Sequence, residues 1–474
     1  MSYQSRRDFI KTGALGSLLI GTGMFAGKAC TPVNQRGKAK NVIFLVSDGM
    51  SVGALTMADQ MLRRRDGRPS NWIRLLEEKR VRQANMDMEA ANAIVTDSAA
   101  ASCSWGCGHR VNTGSVNIGV NNEIYKPILP IFRDAGRSTG LVTTAEITHA
   151  TPAGFAANME SRNMGEEIAV QYLERRIDVL MGGGDRHYHP EKRSDQKDLY
   201  SDYIEGGYTL AKSKQEIGSV LPDTPFLGVF DHGHVPYTID HIHIPELLET
   251  VPTLAEMTKL AIEKLSKNPE GFILQVEGAR VDHAAHGNDP AGLIYDQIAF
   301  DETIKVALDF TENRDDTLVI ITTDHGNANP GLSSGSNANF DKIHHFKHSS
   351  EWVGRQLNET STVSRIKEVM EEATRLQISD IEAGALRDVL RGDYIHVASR
   401  RRGRASVYGE ILSNHTNITW SSTSHTSDYV ELASYGPGSE ALEGFVKNTD
   451  LFKVMVESAG IEEQFLTFQD EMAA

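Results

Sequence analysis

Val42 to Ser47 is an unbroken apolar, largely β-branched run that ends at Asp48-Gly49, which predicts a strand buried on both faces of a parallel sheet. Similar runs occupy Thr139–Thr144, Val179–Gly184, Phe272–Glu277 and Leu318–Asp324, and a later one spans Tyr429–Ser434. Helical periodicity lies between them, over Gly165–Arg175, Thr253–Leu265 and Ala291–Phe310. This alternation predicts an α/β fold with a doubly wound, mostly parallel central sheet flanked by helices. Residues from about 331 to 420 break the rhythm. Gly331 to Asn339 is a polar loop, Ser364 to Leu390 is helical and charged, and Ser399 to Arg404 reads as a solvated basic turn. That stretch is expected to form an inserted helical subdomain, and no internal repeat is visible.

Three of the strands end on an acidic residue: Asp48, Glu277 and Asp324. A single Asp in such a place is usually a helix cap or a turn residue. Three together are different, because sites in open α/β sheets form beyond the carboxyl ends of the strands, where distant residues converge.

Other candidates cluster in short segments. Thr96-Asp97-Ser98-Ala-Ala-Ala-Ser102 surrounds one serine with small residues at a predicted helix start, where free backbone N–H groups favour a phosphate. Glu277-Gly-Ala-Arg-Val-Asp282-His283-Ala-Ala-His286 packs acids and imidazoles into ten residues, and Asp282 and His286 fall one helical turn apart. Asp324-His325 offers carboxylate beside imidazole, and His425 precedes the last strand. A hydroxyl nucleophile with hard oxygen and borderline nitrogen donors suits two or three divalent cations, a standard arrangement for hydrolysing phosphate esters when the ions sit about 4 Å apart.

Bulk properties narrow the function. The chain has 474 residues, 40% hydrophobic and 24% charged, and a formal net charge of −16. Residues 1 to 40 hold seven Lys or Arg against one Asp, so the remainder is more acidic still. Such a surface disfavours nucleic acid and anionic lipid, and an anionic substrate needs a locally positive pocket. Arg6-Arg7 before the short apolar stretch from Ala14 to Phe25 resembles a twin-arginine export signal over residues 1–29, too short for a membrane span. A linker over 30–40 and a catalytic domain over 41–474 would follow, working outside the cytoplasm and most simply in the periplasm. Lipid attachment at Cys30 is an open alternative. Cys103 and Cys107 read as buried thiols, and three cysteines exclude a disulfide scaffold.

Asp48, Asp97-Ser98-Ala-Ala, Thr144-Ala-Glu-Ile-Thr-His149-Ala-Thr151-Pro152, Arg162, Glu277 to His286, Asp324-His325 and His425, in this order, resemble the alkaline phosphatases. The likeness runs from about residue 40 to 330 and again from about 420. It implies that family's three-layer fold, phosphate monoester substrates, two zinc ions and one magnesium ion, and a homodimer. By carry-over, Asp282, His286 and His425 would hold one zinc and Asp48, Asp324 and His325 the other. Asp48, Thr151 and Glu277 would hold magnesium, with His149 beside it. Ser98 would attack phosphorus to give a phosphoserine, while Arg162 clamps the phosphoryl oxygens. His149 and His283 stand where some members carry Asp and Lys, and Gly326-Asn-Ala-Asn329 and Ser427 also depart from the common pattern. Two other readings compete: a diesterase, phosphomutase or sulfatase of the same superfamily, and an exported metal- or phosphate-binding protein without turnover.

Overall fold

A computed structural model describes residues 39–218, 223–394 and 403–468. The export signal, Cys30 and most of the linker lie outside the described residues, as does most of the basic turn at 399–404. Ten strands form the main sheet: β1 (Asn41–Ser47), β2 (Arg82–Asp87), β3 (Ser138–Glu146), β4 (Val179–Gly183), β5 (Thr209–Ala211), β6 (Phe226–Val229), β7 (Phe272–Gly278), β8 (Thr317–Thr322), β9 (Val430–Tyr435) and β10 (Gly444–Lys447). Their spatial order is β10-β2-β9-β8-β1-β7-β3-β4-β6-β5. All pairings are parallel except those of β9, which runs antiparallel to both β8 and β2.

Every residue of β1 is buried, and alternate side chains feed opposite cores. Ile43 and Leu45 pack with residues of the Val52–Asp66, Leu254–Leu265 and Pro290–Thr311 helices. Val42, Phe44 and Val46 join Trp105, Phe155 and Met455 on the other face, with the Phe44 ring 5.0 Å from Trp105 and 5.1 Å from Phe155. The sheet is therefore sandwiched between two helical layers, as the buried apolar runs require.

The predicted helices are present, at Gly165–Glu174, Leu254–Leu265 and Pro290–Thr311. Thr253 is the N-cap of the second, in a reciprocal capping box with Glu256. The helical stretch expected over Ser364–Leu390 consists of two helices, Val363–Thr374 and Asp380–Arg391. Arg375 ends the first in a left-handed conformation (φ 59°), and Ser379 with Glu382 caps the start of the second. The helices between 337 and 416 bury Phe340, Ile343, Val353, Ile366, Leu386 and Val407 in the same core as Ile43 and Leu45. Among the described residues, no helix is long and apolar enough to cross a membrane.

Candidate metal centre

The neighbouring strands β8, β1, β7 and β3 deliver the site. Val46 of β1 is paired with Glu277 on one side and Thr322 on the other, and Thr143 of β3 flanks Glu277. Asp48 thus emerges from the sheet beside Glu277 and the Thr323-Asp324-His325 turn. Gly49 completes the junction. It has φ 68°, and a Cβ there would lie 2.4 Å from Asp282 Oδ1, so a side chain meets both backbone strain and a clash. Its N–H donates to Asp324 Oδ1 at 2.9 Å.

Ser98 is the first residue of a wholly buried helix, Ser98–Gly106, whose N-cap is Asp97, bonded to the Ala100 N–H at 3.0 Å. Small residues let this helix approach the Ala150–Ala156 helix. A Cβ on Gly154 would sit 2.4 Å from Ser102 Oγ, and that hydroxyl donates to the Thr151 carbonyl at 2.6 Å. The Ser98 hydroxyl lies 3.3 Å from His325 Nε2. Asp97 Oδ2 also accepts from Arg162 Nη1 at 2.9 Å, so the guanidinium is aimed by the residue preceding the serine. Burial alone would raise the Asp97 carboxyl, but Arg162 and the Ala100 N–H outweigh it and hold it below its ordinary value.

Three sets of donor atoms converge within 4.8 Å: Asp282, His325 and His425; Asp48, Asp324 and His325; Asp48, His149 and Glu277. His286 joins the first set, its Nε2 lying 3.4 Å from Asp282 Oδ2 and 3.1 Å from His425 Nε2. Asp282 and His286 share a face of the Arg280–His286 helix, as their spacing implied. Asp48 belongs to two sets and His325 to two. Every proposed site residue is thereby brought together, with Thr151 beside Glu277.

The donor chemistry fits cations. Both Asp48 oxygens, Glu277 Oε1, Asp324 Oδ2, Thr151 Oγ1 and His325 Nδ1 are buried without a hydrogen-bond partner. Orphaned polar atoms in such number are costly unless something positive satisfies them. His286 Nδ1 donates to the Thr423 carbonyl at 2.8 Å and His425 Nδ1 to the Thr96 carbonyl at 3.1 Å. Each ring of a neutral pair then presents a bare Nε2, and two lone pairs 3.1 Å apart repel without a cation between them.

Electrostatics agree. Burial, then Asp324, Asp282 and Glu277, push the Asp48 carboxyl well up; burial lifts Glu277 to about 7 and Asp324 to about 6. Burial also lowers His325 and His425 to about 4, which keeps both imidazoles in the neutral, ligating form. Asp282 stays below its ordinary value, because His286, His325 and His425 outweigh its burial.

Several supporting residues carry no distinctive sequence signal. Asn327 Nδ2 donates to Asp282 Oδ1 at 2.6 Å, and Asn327 pairs through its backbone with His425 in a two-residue antiparallel ladder. Thr143 Oγ1 donates to Glu277 Oε2 at 2.5 Å. Beside His149 and Arg162 opens a cavity of about 320 Å³ also lined by Glu146, Arg186, His187 and His234.

The alkaline phosphatase family model matches residues 39–461, so the chain belongs to the alkaline phosphatase family and is a metal-dependent phosphoric monoester hydrolase. Alkaline phosphatase 4 of Bacillus subtilis is 29% identical over 458 residues, covering 92% of this chain and 95% of that protein. Alkaline phosphatase of Escherichia coli K12 is 32% identical over 350 residues, 63% of this chain and 74% of that one. The crystal structure of Thermus thermophilus alkaline phosphatase superposes with a TM-score of 0.85 at 32% identity, covering 94% of this chain and 96% of its own.

Proposed function

We propose that this enzyme cleaves phosphate monoesters to alcohol and inorganic phosphate through a covalent phosphoserine on Ser98. The supporting observation is the placement of the Ser98 hydroxyl, 3.3 Å from His325 Nε2, at the edge of the converging donor sets. Asp282, His286 and His425 would hold one zinc ion; Asp48, Asp324 and His325 a second; Asp48, Thr151, Glu277 and His149 a magnesium ion. When bound, these ions would stabilise charge on the attacking serine oxygen, on the departing oxygen and on the transferring phosphoryl group.

The protein's own groups do the rest. The start of the Ser98–Gly106 helix presents free N–H groups to an anion. Arg162, aimed by Asp97, offers its planar fork to two phosphoryl oxygens. As the Ser98 Oγ–phosphorus bond forms, the serine proton passes to solvent and the bond to the substrate alcohol breaks, the departing oxygen taking up a proton from water. Water then hydrolyses the phosphoserine, releasing phosphate and restoring the hydroxyl. Arg162 Nη2 lies 3.3 Å from His149 Nε2, which joins the third donor set to the phosphate clamp.

The same proposal extends to the whole protein: an exported enzyme cut near residue 30, acting in the periplasm as a homodimer, with residues 331–420 as its inserted segment. Twin-arginine spacing supports export, and family membership supports the dimer. A panel of a monoester, a diester and a sulfate ester of one chromogenic alcohol, run with metal analysis, tests the reading. Preferential monoester turnover with bound zinc and magnesium is expected; faster diester or sulfate ester turnover would overturn it.

A further inference from the structure

We infer that Arg280 is a positioning residue for the reaction, and that Glu351, within the 331–420 segment, sets it in place. Arg280 begins the helix that carries Asp282 and His286, and its side chain is 4% exposed. Three elements clamp its guanidinium. Nη1 lies 2.9 Å from His283 Nδ1, Nη2 lies 2.5 Å from Glu351 Oε2, and the group stacks 3.7 Å over the Tyr237 ring.

An arginine only donates, so His283 Nδ1 must accept and the ring proton of neutral His283 sits on Nε2. His234 is set the same way, because its Nδ1 accepts from the Glu146 N–H at 3.2 Å. The two rings lie 4.4 Å apart and flank His149, at 5.6 and 5.7 Å. The wall beside the third donor set thus carries two imidazoles with the ring proton on Nε2. Lys in place of Arg280 cannot reach His283 and Glu351 together with a planar fork.

Glu351 lies in the first turn of the Ser350–Gln356 helix, whose entry is fixed from the same direction. Asp240 accepts from the Ser349 N–H at 3.0 Å and the Ser349 hydroxyl at 2.5 Å, and Asp289 Oδ2 accepts from the Ser350 N–H at 2.5 Å. Asp289 caps the helix that follows His286. A segment that supplies none of the proposed ligands thereby holds a histidine at the site in one tautomer.

This inference rests on the phosphoryl-transfer reading, and its test separates the two. Full-length, metal-loaded enzyme is labelled with nitrogen-15 at histidine, and the His283 resonances are assigned by their loss in His283→Gln. Wild-type protein should show a bare Nδ1 and a protonated Nε2. In Arg280→Met that signature should collapse into a tautomer mixture, with kcat for a chromogenic monoester down roughly 10- to 100-fold and metal content unchanged. Arg280→Lys should recover part of kcat. Glu351→Gln should show a smaller loss of the same kind, and it decides the matter alone if Arg280→Met does not fold. A wild-type signature in these variants overturns the inference whether or not kcat falls. Absence of monoester turnover in wild type would instead overturn the proposed reaction.

Discussion

Glu277→Gln should change the sign of its effect on stability according to whether metal is bound. Glu277 is buried among Asp48, Asp324 and Thr143, and burial lifts it from its ordinary 4.5 to about 7. A carboxyl raised on folding destabilises the folded state once the unfolded chain ionises it more readily, so the cost is absent below about 4.5, grows between the two values and is complete above about 7. The difference between those values, at about 1.4 kcal/mol per tenfold, is about 3 kcal/mol at pH 8. Glutamine keeps an acceptor for the Thr143 hydroxyl and removes the charge. Chelated Glu277→Gln should therefore be about 3 kcal/mol more stable than chelated wild type at pH 8, and the gain should fade towards pH 5. With zinc and magnesium restored the order should reverse, because the variant has lost an anionic ligand. Urea unfolding of both proteins at both pH values, with and without chelator, measures this. Chelated wild type matching or exceeding the variant at pH 8 would refute the claim that Glu277 is held for a cation.

Removing metal should abolish turnover and adding zinc with magnesium should restore it; activity persisting in metal-free protein would exclude the mechanism. Arg162→Ala should raise KM for a monoester by roughly tenfold or more, and Arg162→Lys should recover little, since a point charge does not reproduce the fork aimed by Asp97. Asn327→Ala should weaken zinc retention by roughly 10- to 100-fold in competition with a chelator, because Asp282 loses its 2.6 Å donor.

How much of this was legible beforehand follows from the physics of each element. Strands buried on both faces announce themselves as apolar runs, so β1, β3, β4, β7, β8 and β9 were visible within a residue or two. Half-exposed and very short strands do not: β2, one place in from the edge, reads Arg-Gln-Ala-Asn-Met-Asp with alternating exposure, and the edge strand β5 spans three residues. The run ending at Asp324 stops being strand at Thr322, because Thr323 and Asp324 turn to bond Met50 and Gly49. Within the site, carboxylates at strand ends and the Asp282 to His286 spacing carried their own signal. Asn327, Thr143 and Arg280 did not, since an amide, a hydroxyl or a cation that orients another residue has no spacing of its own. Arg280 even sat inside the most informative segment, but its partners Tyr237 and Glu351 lie 43 and 71 residues away.

The attack of Ser98 on phosphorus is tested most directly by acid-quenching the metal-loaded enzyme with radiolabelled phosphate and mapping the label. Label on the peptide carrying Ser98, lost in Ser98→Ala while that variant keeps its zinc and magnesium, is the outcome expected here. Full monoester turnover by metal-loaded Ser98→Ala would contradict it.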